Sequence, residues 1–162
     1  MPQNNYPKLH NSMWPGLVGK KSMGGAEPDF DLDTMLDLTA KADVGGVKFD
    51  GVDLFVYTPH MELDISDDGI KALADKIRAR GLVVGSVVAP VWFFGNAMDA
   101  DKRAGWLESV RKTIRVAKKL RELGVRPYGV VRIDTATGVT AWDADPKGNT
   151  RSEEHTSELQ SH

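Results

Sequence analysis

Several polar and aromatic side chains lie in or directly after apolar runs of this sequence, where they could contact a small ligand. They comprise one imidazole, two indoles, two carboxylates and one guanidinium, namely His10, Trp14, Trp92, Asp53, Asp134 and Arg132. Imidazoles and carboxylates form hydrogen bonds with hydroxyl groups, and a guanidinium presents forked donors to anions. Together these residue types favour a polyhydroxylated or anionic small molecule as the ligand.

Each of these residues also has a structural interpretation. A hydrogen-bonded histidine in the core explains His10 somewhat better than a substrate contact does. Arg132 could form an ion pair with Asp134 or Asp53 instead of binding an anion. The two tryptophans favour packing at the rim of the fold over a role as platforms for a sugar. The pattern identifies no catalytic residue and no metal ligand.

The elements that would position these side chains follow from hydrophobic periodicity. Apolar runs alternate with amphipathic runs over residues 1–150, which is typical of a parallel sheet built from βαβ units. We expect strands over residues 9–14, 51–57, 82–89 and 126–134. The third is rich in valine, as a strand buried on both faces should be. In a parallel barrel, ligands bind at the carboxyl ends of the strands, so polar residues there are the site candidates.

Amphipathic helices are predicted between the strands, over about residues 31–43, 66–81 and 99–123. The first is expected to be capped by Asp31 or Asp33 and the second by Ser66 or Asp67, and the third is expected to start at about Asp99 or Asp101. The predicted buried faces consist of Leu32, Met35, Leu36 and Thr39 in the first helix, Ile70, Leu73 and Ile77 in the second, and Leu107, Val110, Ile114 and Ala117 in the third. Gly81 and Gly124 are expected to terminate the second and third helices.

Two short motifs have simpler explanations than the ion or phosphate sites that they resemble. The run DISDDG at residues 64–69 is similar to a calcium loop, but helix capping explains its acids. The run GLVGKKS at residues 16–22 lacks the first glycine of a phosphate-binding loop. The pair Gly45-Gly46 predicts a turn.

Four strand–helix repeats in this length correspond to about half of a (β/α)8 TIM barrel of roughly 250 residues. We therefore expect an α/β fold in which residues 1–150 form the N-terminal half of a TIM-barrel domain. A doubly wound sheet is the alternative, because four strands alone do not show whether the sheet closes. A half barrel would leave its first and fourth strands with open edges and expose inner side chains of residues 83–88 and 130–133, which favours self-association.

Residues 151–162 differ abruptly in composition from the rest of the chain. Their sequence, RSEEHTSELQSH, has Leu159 as its one large apolar residue, too little to bury for an ordered structure. One back-translation resembles a sequencing adapter joined in frame to a gene fragment. We expect a non-native, disordered tail, with natural sequence ending near Thr150.

Bulk composition excludes several classes of function. The chain has 21 basic and 23 acidic side chains, and the tail holds one Arg and three Glu, so the body is electrically balanced. This gives no reason to expect nucleic acid or an anionic membrane as a partner. The absence of cysteine excludes disulfides and Cys-ligated zinc. Residues 1–9 carry no apolar leader, so a cytoplasmic protein is expected.

The segment FDGVDL at residues 49–54 resembles the Gly-Phe-Asp-Gly-Val-Glu-Leu pattern that opens the second strand of xylose-isomerase-like barrels, the sugar phosphate isomerase/epimerase group. Asp53 stands where that family usually has Glu. Residues 8–14, 81–92 and 126–134 are similar to its first, third and fourth strands, so the resemblance covers essentially residues 8–150. It implies that the full-length parent is a sugar isomerase or epimerase acting through an enediolate, with a sugar or sugar phosphate as its substrate.

The resemblance carries no catalytic machinery over to this chain. The family binds a divalent metal, Mg, Mn or Zn, through residues of strands five to eight, which are not in this sequence. The fragment itself is therefore expected to be inactive and to hold no cofactor. Two alternatives stay open: a metal hydrolase of the related endonuclease-IV-like branch, with zinc-binding histidines where this chain has Val88 or Pro90 and Arg132 to Asp134, and a non-enzymatic sugar-binding barrel.

Overall fold

The protein is an α/β fold, and its computed structural model describes residues 8–13, 31–58, 61–97, 99–133 and 147. In chain order the elements are β1 (His10–Met13), α1 (Leu32–Lys41), β2 (Asp43–Val44), β3 (Val47–Lys48), β4 (Gly51–Phe55), α2 (Asp67–Ala79), β5 (Val83–Ala89), α3 (Val91–Phe94), α4 (Arg103–Glu122) and β6 (Val131–Ile133). The main sheet is parallel, with the strand order β1-β4-β5-β6. The predicted alternation of strands and helices is confirmed.

The three longer helices pack on one face of the main sheet. Their buried side chains form a single core with residues of β4 and β5, including Leu36, Ile70, Ile77, Leu120, Val52, Leu54, Val84 and Val87. Val84 and Val87 both face this core because the register of β5 against β4 shifts by one residue between them. Side chains of the intervening residues lie on the opposite face, which we call the inner face. The inner face carries His10, Ser12, Asp53, Phe55, Val88 and Arg132.

Helices α1 and α2 follow their predicted capping pattern. The side chain of Asp31 accepts a hydrogen bond from the backbone N–H of Thr34 at 2.7 Å, and Ser66 accepts one from Gly69 at 3.1 Å. Gly81 closes α2 with a φ of +70°, as predicted for a left-handed terminator. Capping by Ser66 confirms that the acidic run at residues 64–69 begins a helix.

The prediction for α4 was wrong at its start and for part of its buried face, although Ala117 is buried as predicted. The helix begins at Arg103, two to four residues later than expected. Leu107 and Ile114 are 38% and 49% exposed. The face that enters the core consists of Ser109, Thr113, Val116, Ala117 and Leu120. The hydroxyls of Ser109 and Thr113 can be buried because they donate to backbone carbonyls of the preceding turn, each at 2.8 Å.

The fourth predicted strand is much shorter than residues 126–134. Pro127 has no backbone N–H and interrupts the ladder, so regular pairing with β5 is restricted to β6. The guanidinium of Arg126 is instead buried and donates to the carbonyls of Ala117 and Val130, at 3.3 and 2.7 Å. Burial lowers the pKa of Arg126.

One short hairpin and one short helix were not predicted. The hairpin β2–β3 turns at Gly45 and Gly46, which have φ values of +62° and +85° and confirm the predicted turn. The apolar run at residues 82–94 is not one element, because Pro90 separates β5 from α3. Elements of two to four residues carry too few periods for a sequence pattern to reveal them.

Strands β1 and β6 lie at the two ends of the described sheet, as expected. The expected exposure of inner side chains is wrong for β5, since Val88 is 2% exposed, while Val130 before β6 is 54% exposed. Self-association through the edges stays a prediction. Within the described ranges, no helix has the length and apolar character needed to cross a membrane.

Candidate functional site

The strand register divides the inner face into two regions. The first, which we call the inner layer, consists of His10, Ser12, Asp53, Gly85, Ser86 and Tyr128. The second lies at the carboxyl ends of β4, β5 and β6, where Phe55, Val88 and Arg132 are in register. We call this region the rim, and it consists of Phe55, Tyr57, Phe93, Phe94 and Arg132.

A histidine–aspartate pair occupies the inner layer. The Nδ1 atom of His10 lies 3.3 Å from Oδ1 of Asp53, and the same Oδ1 accepts a hydrogen bond from the backbone N–H of Ser86 at 2.9 Å. The side chains of His10 and Asp53 are 16% and 28% exposed. Nε2 of His10 is buried and has no hydrogen-bond partner among the described residues. His10 and the backbone N–H of Ser86 therefore position the carboxylate of Asp53 from two sides.

Gly85 makes room for this pair. A Cβ atom at Gly85 would collide with Nδ1 of His10 and Oδ1 of Asp53. The backbone of β5 can approach the two side chains only because this position has no side chain of its own. The glycine in the valine-rich strand is thus a requirement of the inner layer.

Tyr128 covers the imidazole from the far end of the sheet. The ring centroids of His10 and Tyr128 are 5.4 Å apart, at an interplanar angle of 50°. His10 belongs to β1 and Tyr128 precedes β6, at the opposite edge, and three strand spacings in a flat sheet amount to about 14 Å. Side chains stand roughly perpendicular to a sheet, so this contact indicates that the sheet curves towards its inner face.

The rim is aromatic and partly exposed. Tyr57 and Phe93 stack with their ring centroids 4.2 Å apart and nearly parallel, at 6°. Phe55 lies beneath them and is 5% exposed, whereas Phe93 and Phe94 are 51% and 43% exposed. Pro90 ends β5, and α3 then places its two phenylalanines beside the end of β4. These rings provide a surface for the apolar side of a ligand.

Asp50 anchors the amino end of β1 to the strand that carries Asp53. Its carboxylate accepts hydrogen bonds from the backbone N–H of Leu9 at 2.9 Å and from Nζ of Lys8 at 3.2 Å. These bonds lower the pKa of Asp50, and the bond from Leu9 has the largest effect. The anchor supports the register that places His10 beside Asp53.

The structure brings only part of the predicted residue set together. His10 and Asp53 are in contact, but His10 opens β1, in register with Gly51, and does not follow the strand as predicted. Arg132 lies on the inner face at the rim, within the fourth predicted strand. Trp92 belongs to α3, while Trp14, Asp134 and the tail at residues 151–162 lie outside the described residues.

Sequence analysis missed several members of both regions, namely Ser86, Gly85, Tyr128, Tyr57, Phe93 and Phe94. A glycine inside a valine-rich strand was an available indication, because it marks a close approach of the backbone to other groups. Two phenylalanines three and four residues after Pro90 were another. No local pattern indicates that Tyr128 reaches His10.

The described residues do not supply a metal site. None of them form a group of three or more His, Cys, Asp or Glu side chains that could hold a metal ion. His10 and Asp53 are only a pair, and the Nδ1 atom of His10 faces the carboxylate. The divalent metal implied by the family resemblance therefore does not fit this part of the chain.

No family model, curated protein or solved structure matches this chain.

Proposed function

We propose that β1, β4, β5 and β6, with the helices between them, belong to the first four strand–helix units of a (β/α)8 barrel whose inner face binds a sugar or sugar phosphate. Support comes from the strand order β1-β4-β5-β6, in which parallel strands follow one another without a reversal. A barrel has this consecutive order and carries its helices on one face. A doubly wound sheet reverses its order and carries helices on both faces.

The observation that carries the proposal is the placement of Asp53 and Arg132 on the same curved face. Asp53 offers carboxylate oxygens to hydroxyl groups, and Arg132 offers a guanidinium to an anion. Their strands, β4 and β6, are separated by one strand, so their backbones are about 10 Å apart. An extended sugar phosphate has a comparable length.

The aromatic rim supports the same class of ligand. A sugar has apolar C–H surfaces as well as hydroxyl groups, and the exposed rings of Phe93 and Phe94 can bury such a surface. Apolar walls with a few convergent polar groups are typical of small-molecule sites. The rim and the inner layer together provide both kinds of contact.

The proposed activity of the complete barrel is isomerisation or epimerisation, which the resemblance at residues 49–54 favours. A divalent metal for that chemistry would have to be held by other strands, since the described residues do not fit one. The part proposed for this chain is therefore substrate binding. The endonuclease-like alternative is disfavoured, because the side chains at the ends of β5 and β6 include Val88 and Arg132 where that branch has histidines.

Titration of the isotopically labelled full chain with D-fructose 6-phosphate, followed by NMR, tests this function. We expect shift changes at the carboxyl ends of β4, β5 and β6, and an affinity that falls at least about tenfold in Arg132→Ala, since a hydrogen bond to a charged group is lost. Arg111→Ala is the matched control, because Arg111 lies on α4 and is 70% exposed. Absence of binding, or an equal loss in both variants, would contradict the proposal.

A further inference from the structure

We propose that Asp53 is the hydroxyl-binding group of this site and that His10 is a positioning residue that acts through it. This inference rests on the proposed sugar-binding function and deepens it, because it gives the ligand an orientation. The hydroxyl-bearing end lies at Asp53 in the inner layer, and the phosphate lies at Arg132 on the rim.

The two oxygens of Asp53 have different surroundings. Oδ1 receives the backbone N–H of Ser86 and faces Nδ1 of His10, at 2.9 and 3.3 Å. Oδ2 has no hydrogen-bond or ion-pair partner among the described residues. A carboxylate oxygen accepts hydrogen bonds, so Oδ2 is an acceptor that the protein holds in a defined direction.

Exposure distinguishes Asp53 from His10 as the ligand contact. The side chain of Asp53 is 28% exposed, and Ser12, its register partner on β1, is also exposed. Nε2 of His10, in contrast, is buried. A ligand can therefore reach Asp53 more readily than the remaining nitrogen of His10, whose other nitrogen already faces Asp53.

The charge of Asp53 determines which part of a ligand it accepts. An ionised carboxylate has no proton to donate and repels a phosphate group, whereas it accepts hydrogen bonds from sugar hydroxyls. The guanidinium of Arg132 has the opposite preference. Asp53 and Arg132 together therefore select a ligand that carries hydroxyls at one end and an anion at the other, in preference to a simple anion.

Rigidity of the inner layer adds to this selectivity. The space for the pair exists only because residue 85 is glycine, so Asp53 and His10 sit against the β5 backbone. A hydrogen-bonding group that is held in place before binding loses less conformational entropy on binding. His10 contributes by restricting the carboxylate, and the proposal assigns it no contact with the ligand.

Two probes separate the roles of the two ends. In NMR titrations of the full chain, Asp53→Asn should weaken D-fructose 6-phosphate at least about tenfold, because a charge-assisted hydrogen bond is lost. The same variant should leave the affinity for methyl phosphate, which has no sugar hydroxyls, unchanged or slightly higher. Asp75→Asn is the matched control, since it removes an equal charge from a half-exposed side chain of α2, which pairs with Lys71 and Arg78 on the opposite face of the sheet.

Two histidine variants test the positioning role. The side-chain N–H of asparagine can donate to Asp53 whereas phenylalanine cannot, so His10→Asn should retain more sugar phosphate affinity than His10→Phe. The imidazole ¹⁵N spectrum of the ligand-free chain should show the His10 proton on Nδ1. If His10→Phe fails to fold by its thermal unfolding curve, the spectrum and the Asn variant carry the test.

The outcomes separate this inference from the function on which it rests. If the wild-type chain binds D-fructose 6-phosphate and Asp53→Asn binds it equally well, the inference is wrong while sugar binding stands. An equal loss of both probes in Asp53→Asn, or a His10 proton on Nε2, would also overturn it. If the wild-type chain does not bind the sugar phosphate, both proposals fail.

Discussion

The inner layer and the rim lie on the same face of the sheet but are built in opposite ways. In the inner layer, polar side chains are held against strand backbone, and His10 is 16% exposed. At the rim, aromatic rings stack on one another, and Phe93 is 51% exposed. The inner layer depends on exact space for a few polar atoms, whereas the rim depends on contact area. Filling space in the inner layer should therefore damage stability, whereas removing ring surface at the rim should chiefly weaken ligand binding.

The largest expected effect is that of Gly85→Ala. Its methyl group would enter the space of His10 and Asp53, and overpacking of this kind costs about 1–3 kcal/mol. Gly129→Ala is the control, since a Cβ there meets no atom within 4 Å, and it should change the free energy of unfolding by less than about 0.5 kcal/mol. Urea unfolding measures both. Equal stabilities would contradict the requirement of the inner layer for glycine at position 85.

Acid should weaken the inner layer before the rim. The pKa of Asp50 is lowered in the folded chain, so its stabilising contribution is present above the ordinary Asp pKa of about 3.9 and is lost as the pH falls through the lowered value. Amide hydrogen exchange at pH 5 and pH 3 should show loss of protection in β1 and β4 first. Asp50→Asn should reduce this pH dependence, and an unchanged profile would contradict the role of the anchor.

The smallest expected effect on stability is that of Phe93→Ala. Its ring is half-exposed, and loss of the stack with Tyr57 should cost about 0.5–1.5 kcal/mol. The same substitution should weaken D-fructose 6-phosphate, since the proposed platform is removed. Leu107→Ala, at a 38% exposed apolar side chain of α4, should leave that affinity unchanged. Retained affinity in Phe93→Ala would show that the rim is only packing.

Prediction from sequence was most successful for elements with strong local patterns. The caps at Asp31 and Ser66, the terminator at Gly81 and the valine-rich β5 all agree with the structure. It was wrong for part of the buried face of α4, because periodicity alone favoured Leu107 and Ile114. The residues buried instead include Ser109 and Thr113, whose hydroxyls donate hydrogen bonds to carbonyls of the same helix. The predicted length of the fourth strand was also wrong, because Pro127 interrupts the pairing of that segment with β5.

For the candidate site, the sequence supplied residue types but not partners. Asp53 and Arg132 were identified as polar residues within predicted strands, which local apolar runs are sufficient to reveal. The pairing of His10 with Asp53 depends on the register of β1 with β4, and that register brings distant parts of the chain together. No periodicity within either strand contains this information.

Local order in this protein follows from neighbours along the chain, since caps, turns and amphipathic faces involve side chains within about one or two turns of each other. The shape of the inner face has a different origin. The contact of Tyr128 with His10, and the need for glycine at position 85, arise only when the sheet curves and β5 packs beside β4. These contacts depend on distances across the sheet, which are set by the packing of the whole fold and not by any single segment.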